Sequence, residues 1–172
     1  MIASHGWLNP TRAVGLVAYG TACTCCGISW VRSKTRPKTS RLAAVLMLIE
    51  SVLLLDIAFD WRWRVHDMFM GIAVRQNEYA QRRLPQAVVV TMLGGLLFFG
   101  LLVAWRRLRG RGTTLLAVSG VLLSLIVWCI EVVSLHAVDH VLYHTVDGVM
   151  TVTLLWLLSC IMTSIGILLD PR

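Results

Sequence analysis

Four stretches of this chain, residues 13–31, 87–105, 113–130 and 148–169, contain no Asp, Glu, Lys, Arg or His. A helix rises about 1.5 Å per residue and the hydrocarbon core of a bilayer is about 30 Å thick, so roughly 20 apolar residues cross it. In lipid the backbone polar groups of such a run must be satisfied within the segment, which makes it helical. A fifth stretch, residues 42–59, carries Glu50 and Asp56 in a run otherwise rich in Leu, Ile, Val and Ala, and is read as a further span. The pattern predicts an all-α polytopic membrane protein. Its 172 residues form a single membrane domain, a bundle of five transmembrane helices at about 13–31, 42–59, 87–105, 113–135 and 148–169, with a partly helical outer loop. Only 15% of the residues are charged, against roughly a quarter in soluble domains, which argues against a water-soluble globule.

The first run is read as a retained helix, because it is long for a cleaved secretory signal and no Ala-x-Ala site follows it. Gly94-Gly95 and Gly100 in the third run are small residues of the kind that let membrane helices approach closely, so a packed bundle is expected. No repeat and no low-complexity tract interrupts the pattern.

Basic residues set the expected orientation, since short cytoplasmic loops are enriched in Lys and Arg. Arg32, Lys34, Arg36, Lys38 and Arg41 lie between runs one and two, and Arg106, Arg107, Arg109 and Arg111 between runs three and four. With five spans both loops fall on one side, which places the N-terminus outside and the C-terminus in the cytoplasm. That inner side holds ten basic residues and one acid, while the remainder holds six basic residues and eight acids. The net charge of +7 is therefore a topology signal; the basic loops attract anionic lipid and give no reason to invoke nucleic acid. The expected location is the cell membrane, as a multi-pass protein, which means the inner membrane if the source is Gram-negative.

On this topology His5, His66, His136, His140, His144 and most carboxylates map to the extracytoplasmic side. Ionisable groups at membrane depth cost about 2.5–3.5 kcal/mol on insertion scales and are functional candidates by default, which singles out the buried carboxylates Glu50, Asp56 and Glu131. If the fourth helix continues outward, its step of about 100° puts His136, Asp139, His140, Tyr143 and Asp147 on one face. His136 and His140, like His140 and His144, have the i, i+4 spacing of ligand pairs, and neutral imidazole is the commonest metal ligand. If the second helix also runs on, Asp56, Asp60 and Asp67 share a face and His66 lies nearby. His136, Asp139, His140, His144, Asp56 and Asp60 are thus candidate metal ligands, and His66, Trp61 and Tyr143 candidate cofactor-binding residues. A transition metal, a haem or a quinone head group is the cofactor class considered, for redox or proton handling; the blander reading is a wet polar rim. A di-metal oxygenase or desaturase would need further His boxes that are absent.

Cys23, Cys25, Cys26, Cys129 and Cys160 all lie within predicted spans, where lone cysteines serve mostly as small apolar packers. The run Cys23-Thr24-Cys25-Cys26 resembles, over a few residues, the vicinal cysteines of small mercuric-ion transporters, whose second cysteine pair has no counterpart here. No phosphate-cradling glycine loop and no Gly-x-Ser-x-Gly elbow occurs, which argues against nucleotide chemistry and serine hydrolysis. Two other functions remain open at this point. One is a non-catalytic accessory or assembly subunit whose partners are membrane lipids and other membrane subunits; the other is a small transporter with Glu50 and Glu131 along a path.

Overall fold

The computed structural model describes residues 9–62, 64–65, 67–68, 71, 83–133, 140–146 and 148–170. Its elements are α1 (Pro10–Arg32), α2 (Pro37–Phe59), α3 (Arg83–Arg107), α4 (Gly112–Val133), a short hairpin of β1 (Thr145–Val146) and β2 (Val149–Met150), and α5 (Val152–Leu168). Three helices, Pro10–Arg32, Pro37–Phe59 and Gly112–Val132, are long and apolar enough to cross a membrane. The protein is thus a helical bundle with membrane-type helices.

Local sequence explains where the helices begin. Asn9 caps α1, its side-chain oxygen accepting from the Arg12 N–H at 2.7 Å, and Pro10 fills the first helical position, where a missing N–H costs nothing. Pro37 does the same for α2 after the tight turn that follows α1. The fifth expected span starts later than its apolar run. Gly148 takes a left-handed φ of 80° and folds the chain back so that Thr145 pairs with Met150 and Val146 with Val149. Helix α5 then has 17 residues, about 26 Å of rise. The Met150 N–H donates to the Thr11 hydroxyl at 3.1 Å, tying the hairpin to the start of α1.

Helices α1, α2, α4 and α5 enclose the core, while α3 packs chiefly against α4. One part of the core gathers Tyr19, Leu53, Ile57, Val127 and Trp156; the other gathers Cys26, Ala43, Leu46, Ala117, Val121 and Ile167. Close approach of α4 and α5 rests on Gly120 and Gly166. A Cβ on Gly120 would stand 2.5 Å from the Ser159 carbonyl, and one on Gly166 would fall on the backbone of Thr113 and Ala117. The expectation for α3 is corrected: a Cβ at Gly94, Gly95 or Gly100 would meet nothing within 4 Å among the described residues, so these glycines do not mediate the packing of α3 on α4.

The two basic turns meet at one end of the bundle, where Arg36 and Arg111 line a common cavity with Asp170. The Thr114 hydroxyl donates to Asp170 Oδ1 at 2.5 Å and anchors that end. The opposite, hairpin end collects the start of α1, the ends of α2 and α4, and the hairpin itself.

Neither expected helix extension runs its full length. The fourth helix does not run through to residue 147: residues 112–133 and 140–142 are helical, the residues between them fall outside those described, Tyr143 lies in a turn and Thr145 begins a strand. Extended, β-branched Thr145 and Val146 and the Gly148 turn end the helical period, so no continuous helical face reaches from His140 past Tyr143. The second helix stops at Phe59, because Asp60 adopts the left-handed conformation (φ 55°, ψ 35°) while its N–H closes on the Asp56 carbonyl. Among non-glycine residues Asp and Asn tolerate that conformation best. Asp56 and Asp60 consequently do not continue one helical face.

Candidate ion-network site

Asp56 lies one turn before the end of α2, and Glu131 lies on α4. Both are buried, and the cation that meets them comes from beyond the helix. The left-handed turn at Asp60 redirects the chain so that Arg62 reaches back into the bundle. Its Nε donates to Asp56 Oδ2 at 2.6 Å, its Nη2 stands 2.6 Å from the same oxygen, and its Nη1 donates to Glu131 Oε2 at 2.5 Å. The Trp156 indole N–H, from α5, donates to that Glu131 oxygen at 3.2 Å, and the guanidinium lies 5.1 Å from the Trp156 ring centre. Tyr19, from α1, packs on Trp156 with ring centres 6.4 Å apart. Four helices therefore converge on one guanidinium.

The exposures of Asp56, Arg62 and Glu131, 2%, 4% and 4%, put all three charges out of water, where unpaired ions are expensive. Burial by itself lowers the pKa of Arg62, but Glu131 and Asp56 raise it further, and the guanidinium is held above its ordinary value. Two carboxylates nonetheless share one cation. Asp56 Oδ1 is buried and accepts from no group among the described residues.

At the rim, Arg12 pairs with Asp60 at 3.0 Å, the Asp60 side chain being 49% exposed, and Arg12 also donates to the Ala58 carbonyl. Partly exposed pairs contribute about 0–1 kcal/mol. Arg12→Gln is accordingly expected to lower stability by about 1 kcal/mol or less in detergent unfolding experiments, and a loss above about 2 kcal/mol would place this pair in the core network instead.

A cavity of about 140 Å³ opens beside the network, lined among others by Arg12, Asp60, Arg62, Glu131, Tyr143 and Trp156. At about 30 Å³ per molecule it has room for roughly four waters. It lies below the ~300–1,000 Å³ of sites that take drug-sized ligands.

The structure thus brings Asp56 and Glu131 together and sets Asp60 and Tyr143 at the same cavity or its rim. It separates other expected site residues from them. Trp61 stacks on Phe59 with centres 5.8 Å apart and does not line the cavity, and His140 and His144 are exposed. Glu50 lies deep between the helices. His66, His136 and Asp139 fall outside the described residues. Among the described residues no group of three or more His, Cys, Asp and Glu is placed to hold a metal ion, and all five cysteines are free thiols. Arg62, Trp156 and Tyr19 are the residues that the sequence did not single out. The available signal for Arg62 was charge balance: two costly buried acids require a cation, and Arg62 is the first basic residue after Asp56.

Comparisons with protein families, curated proteins and solved structures find no match for this chain.

Proposed function

We propose that this protein is a five-span integral protein of the cell membrane, hairpin end outward, that handles protons at its extracytoplasmic leaflet. The observation that carries the reading is the sharing of one buried guanidinium by two buried carboxylates. Fully ionised, the trio holds one uncompensated negative charge in a low-dielectric setting. A proton on one carboxyl removes it, and the adjacent cavity supplies the water through which that proton exchanges. Tyr143 and Trp156 frame the opening, and Arg62 fixes both carboxylates whichever one carries the proton. Both basic turns at the opposite end support the assigned orientation, since they suit the cytoplasmic surface and its anionic lipids.

Infrared difference spectroscopy of the protein in nanodiscs tests this. With Glu50→Gln as background, a protonated-carboxyl band that titrates with pH and shifts in heavy water is expected, and Glu131→Gln or Asp56→Asn should abolish it. A spectrum with no such band, or a band indifferent to both substitutions, would sink the proposal.

A specific feature of α3 favours a second reading, the accessory subunit. Met92, Leu96, Phe98 and Phe99 are each more than 60% exposed there, and Gly94, Gly95 and Gly100 face open space. Lipid chains cover such a face by default. Native mass spectrometry showing a co-purifying membrane subunit lost on Gly95→Leu would favour assembly; a bare monomer with bound lipid would remove that reading.

A further inference from the structure

The basic end of the bundle is hollow. A cavity of about 240 Å³ lies between the end of α1, the start of α2 and the end of α5, and Arg32, Arg36 and Asp170 line it with the hydroxyl residues Ser33, Thr35 and Thr39. A second, of about 520 Å³, shares Thr35, Arg36, Thr39 and Asp170 with the first and adds Lys38 and Arg111. Four cations and one carboxylate therefore line the joined space. The carboxylate is engaged within the protein, since Asp170 Oδ1 accepts from the Thr114 hydroxyl at 2.5 Å and the Thr113 hydroxyl at 3.3 Å. Arg32, Lys38 and Arg111 pair with no carboxylate among the described residues.

The bias of basic residues toward one face asks only for charge on that side of the membrane. It does not ask that the cations ring a cavity or that threonines and a serine stand among them. Arg106, Arg107 and Arg109, close to Arg111 in sequence, line neither cavity, so the enclosure is particular to four of the basic residues. The start of α2 adds to the same wall. No side chain caps it, which leaves the first-turn N–H groups of Lys38 and Thr39 without a capping partner. Cations, hydroxyls and main-chain N–H groups are all donors, and together they suit an anion with several acceptor oxygens. At about 30 Å³ per molecule the smaller cavity alone has the room of roughly eight waters.

We infer that this space is a binding site for a phosphomonoester group, whether the head of an anionic lipid or free phosphate. A monoester carries about −1.5 to −2 charge at pH 7 and three strong acceptor oxygens, which matches the excess of cations and the number of donors better than the single charge of a diester. Basic pockets between membrane helices take lipid head groups in this way. Ile167 and Leu168 of α5, which also line the smaller cavity, give its wall an apolar part that suits the first carbons of a lipid chain. The site stands apart from the Arg62 network at the opposite end and does not depend on proton handling there.

Native mass spectrometry of the full chain in mild detergent, titrated with defined lipids, provides the test. One molecule of dioleoyl phosphatidate per chain is expected to be retained, about tenfold more tightly than dioleoyl phosphatidylglycerol, a diester. Arg32→Gln with Lys38→Gln and Arg111→Gln should weaken phosphatidate binding by about a hundredfold, since one charge-assisted contact is worth roughly a factor of ten. Arg106→Gln with Arg107→Gln and Arg109→Gln removes as much charge outside the cavities and should weaken it by less than about threefold, because distant exposed charges are screened. Inorganic phosphate that displaces the lipid at equal concentration marks the free ion as the ligand; displacement only in large excess marks the lipid, and either result supports the site. Equal retention of the two lipids by the native chain, binding of neither lipid nor phosphate, or equal losses in the two triple variants overturns the inference. The lipid comparison needs no variant, so it decides even if a triple variant fails to fold.

Discussion

Arg62→Met is expected to lower the stability of the bundle by about 3–5 kcal/mol, the loss typical of removing one partner from a buried ion pair. The methionine fills much of the arginine's volume, so the loss comes from charge and not from a cavity. Asp56 and Glu131, at 2% and 4% exposure, lose the one guanidinium among the described residues that meets them both. Repairing the charge should repair most of the stability. In the triple variant Arg62→Leu, Asp56→Asn, Glu131→Gln no ion is left stranded, and apolar or neutral replacements of buried ion networks are often neutral or stabilising. Equilibrium unfolding in mild detergent measures both. A single variant that loses less than about 1 kcal/mol, or a triple variant no better than the single, would show that the trio is not an electrostatic unit.

Much of the architecture was legible in advance because charge-free runs of this length have few alternatives in lipid. The basic turns around Arg36 and Arg111 were expected on one side, and the structure puts them at one end of the bundle. Glu50, Asp56 and Glu131 stood out for the same reason, the cost of an acid in an apolar run. Arg62 did not, since it reads as one of five arginines in a mixed loop. A single left-handed residue, Asp60, brings it inside, and that backbone event leaves no trace in composition. The expected histidine face is cut short past Leu142, where the helical period had been extended through Val146-Asp147-Gly148-Val149. Asp-Gly between two β-branched residues is a hairpin signal, and the turn takes precedence over the i, i+4 spacing. Gly94, Gly95 and Gly100 resemble packing glycines just as Gly120 and Gly166 do; only the placement of α3 on the outside distinguishes them.

The second large effect is expected at Gly166. Gly166→Leu should abolish the native bundle, observed as loss of a monodisperse peak in detergent, and Gly166→Ala should cost about 1–3 kcal/mol or more. The obstacle is the main chain of α4 at Thr113 and Ala117, which no rotamer change can relieve. Gly100→Leu on α3 serves as the contrast and should leave the monomer's stability within about 0.5 kcal/mol of native, because nothing lies within 4 Å of the added carbon. Equal losses at the two sites would mean that α4 and α5 are not in close contact.

The left-handed turn at Asp60 also bears on how the charges of α2 are balanced. Helix α2 carries two acids, Glu50 and Asp56, and no cation beyond its first turns, so their charge is not balanced within the helix itself. Arg62 lies after the pivot, outside residues 37–59. Its inward position is matched by Glu131 from α4 and Trp156 from α5. The complete ion network therefore requires α2, α4 and α5, elements far apart in sequence, to be packed in one register.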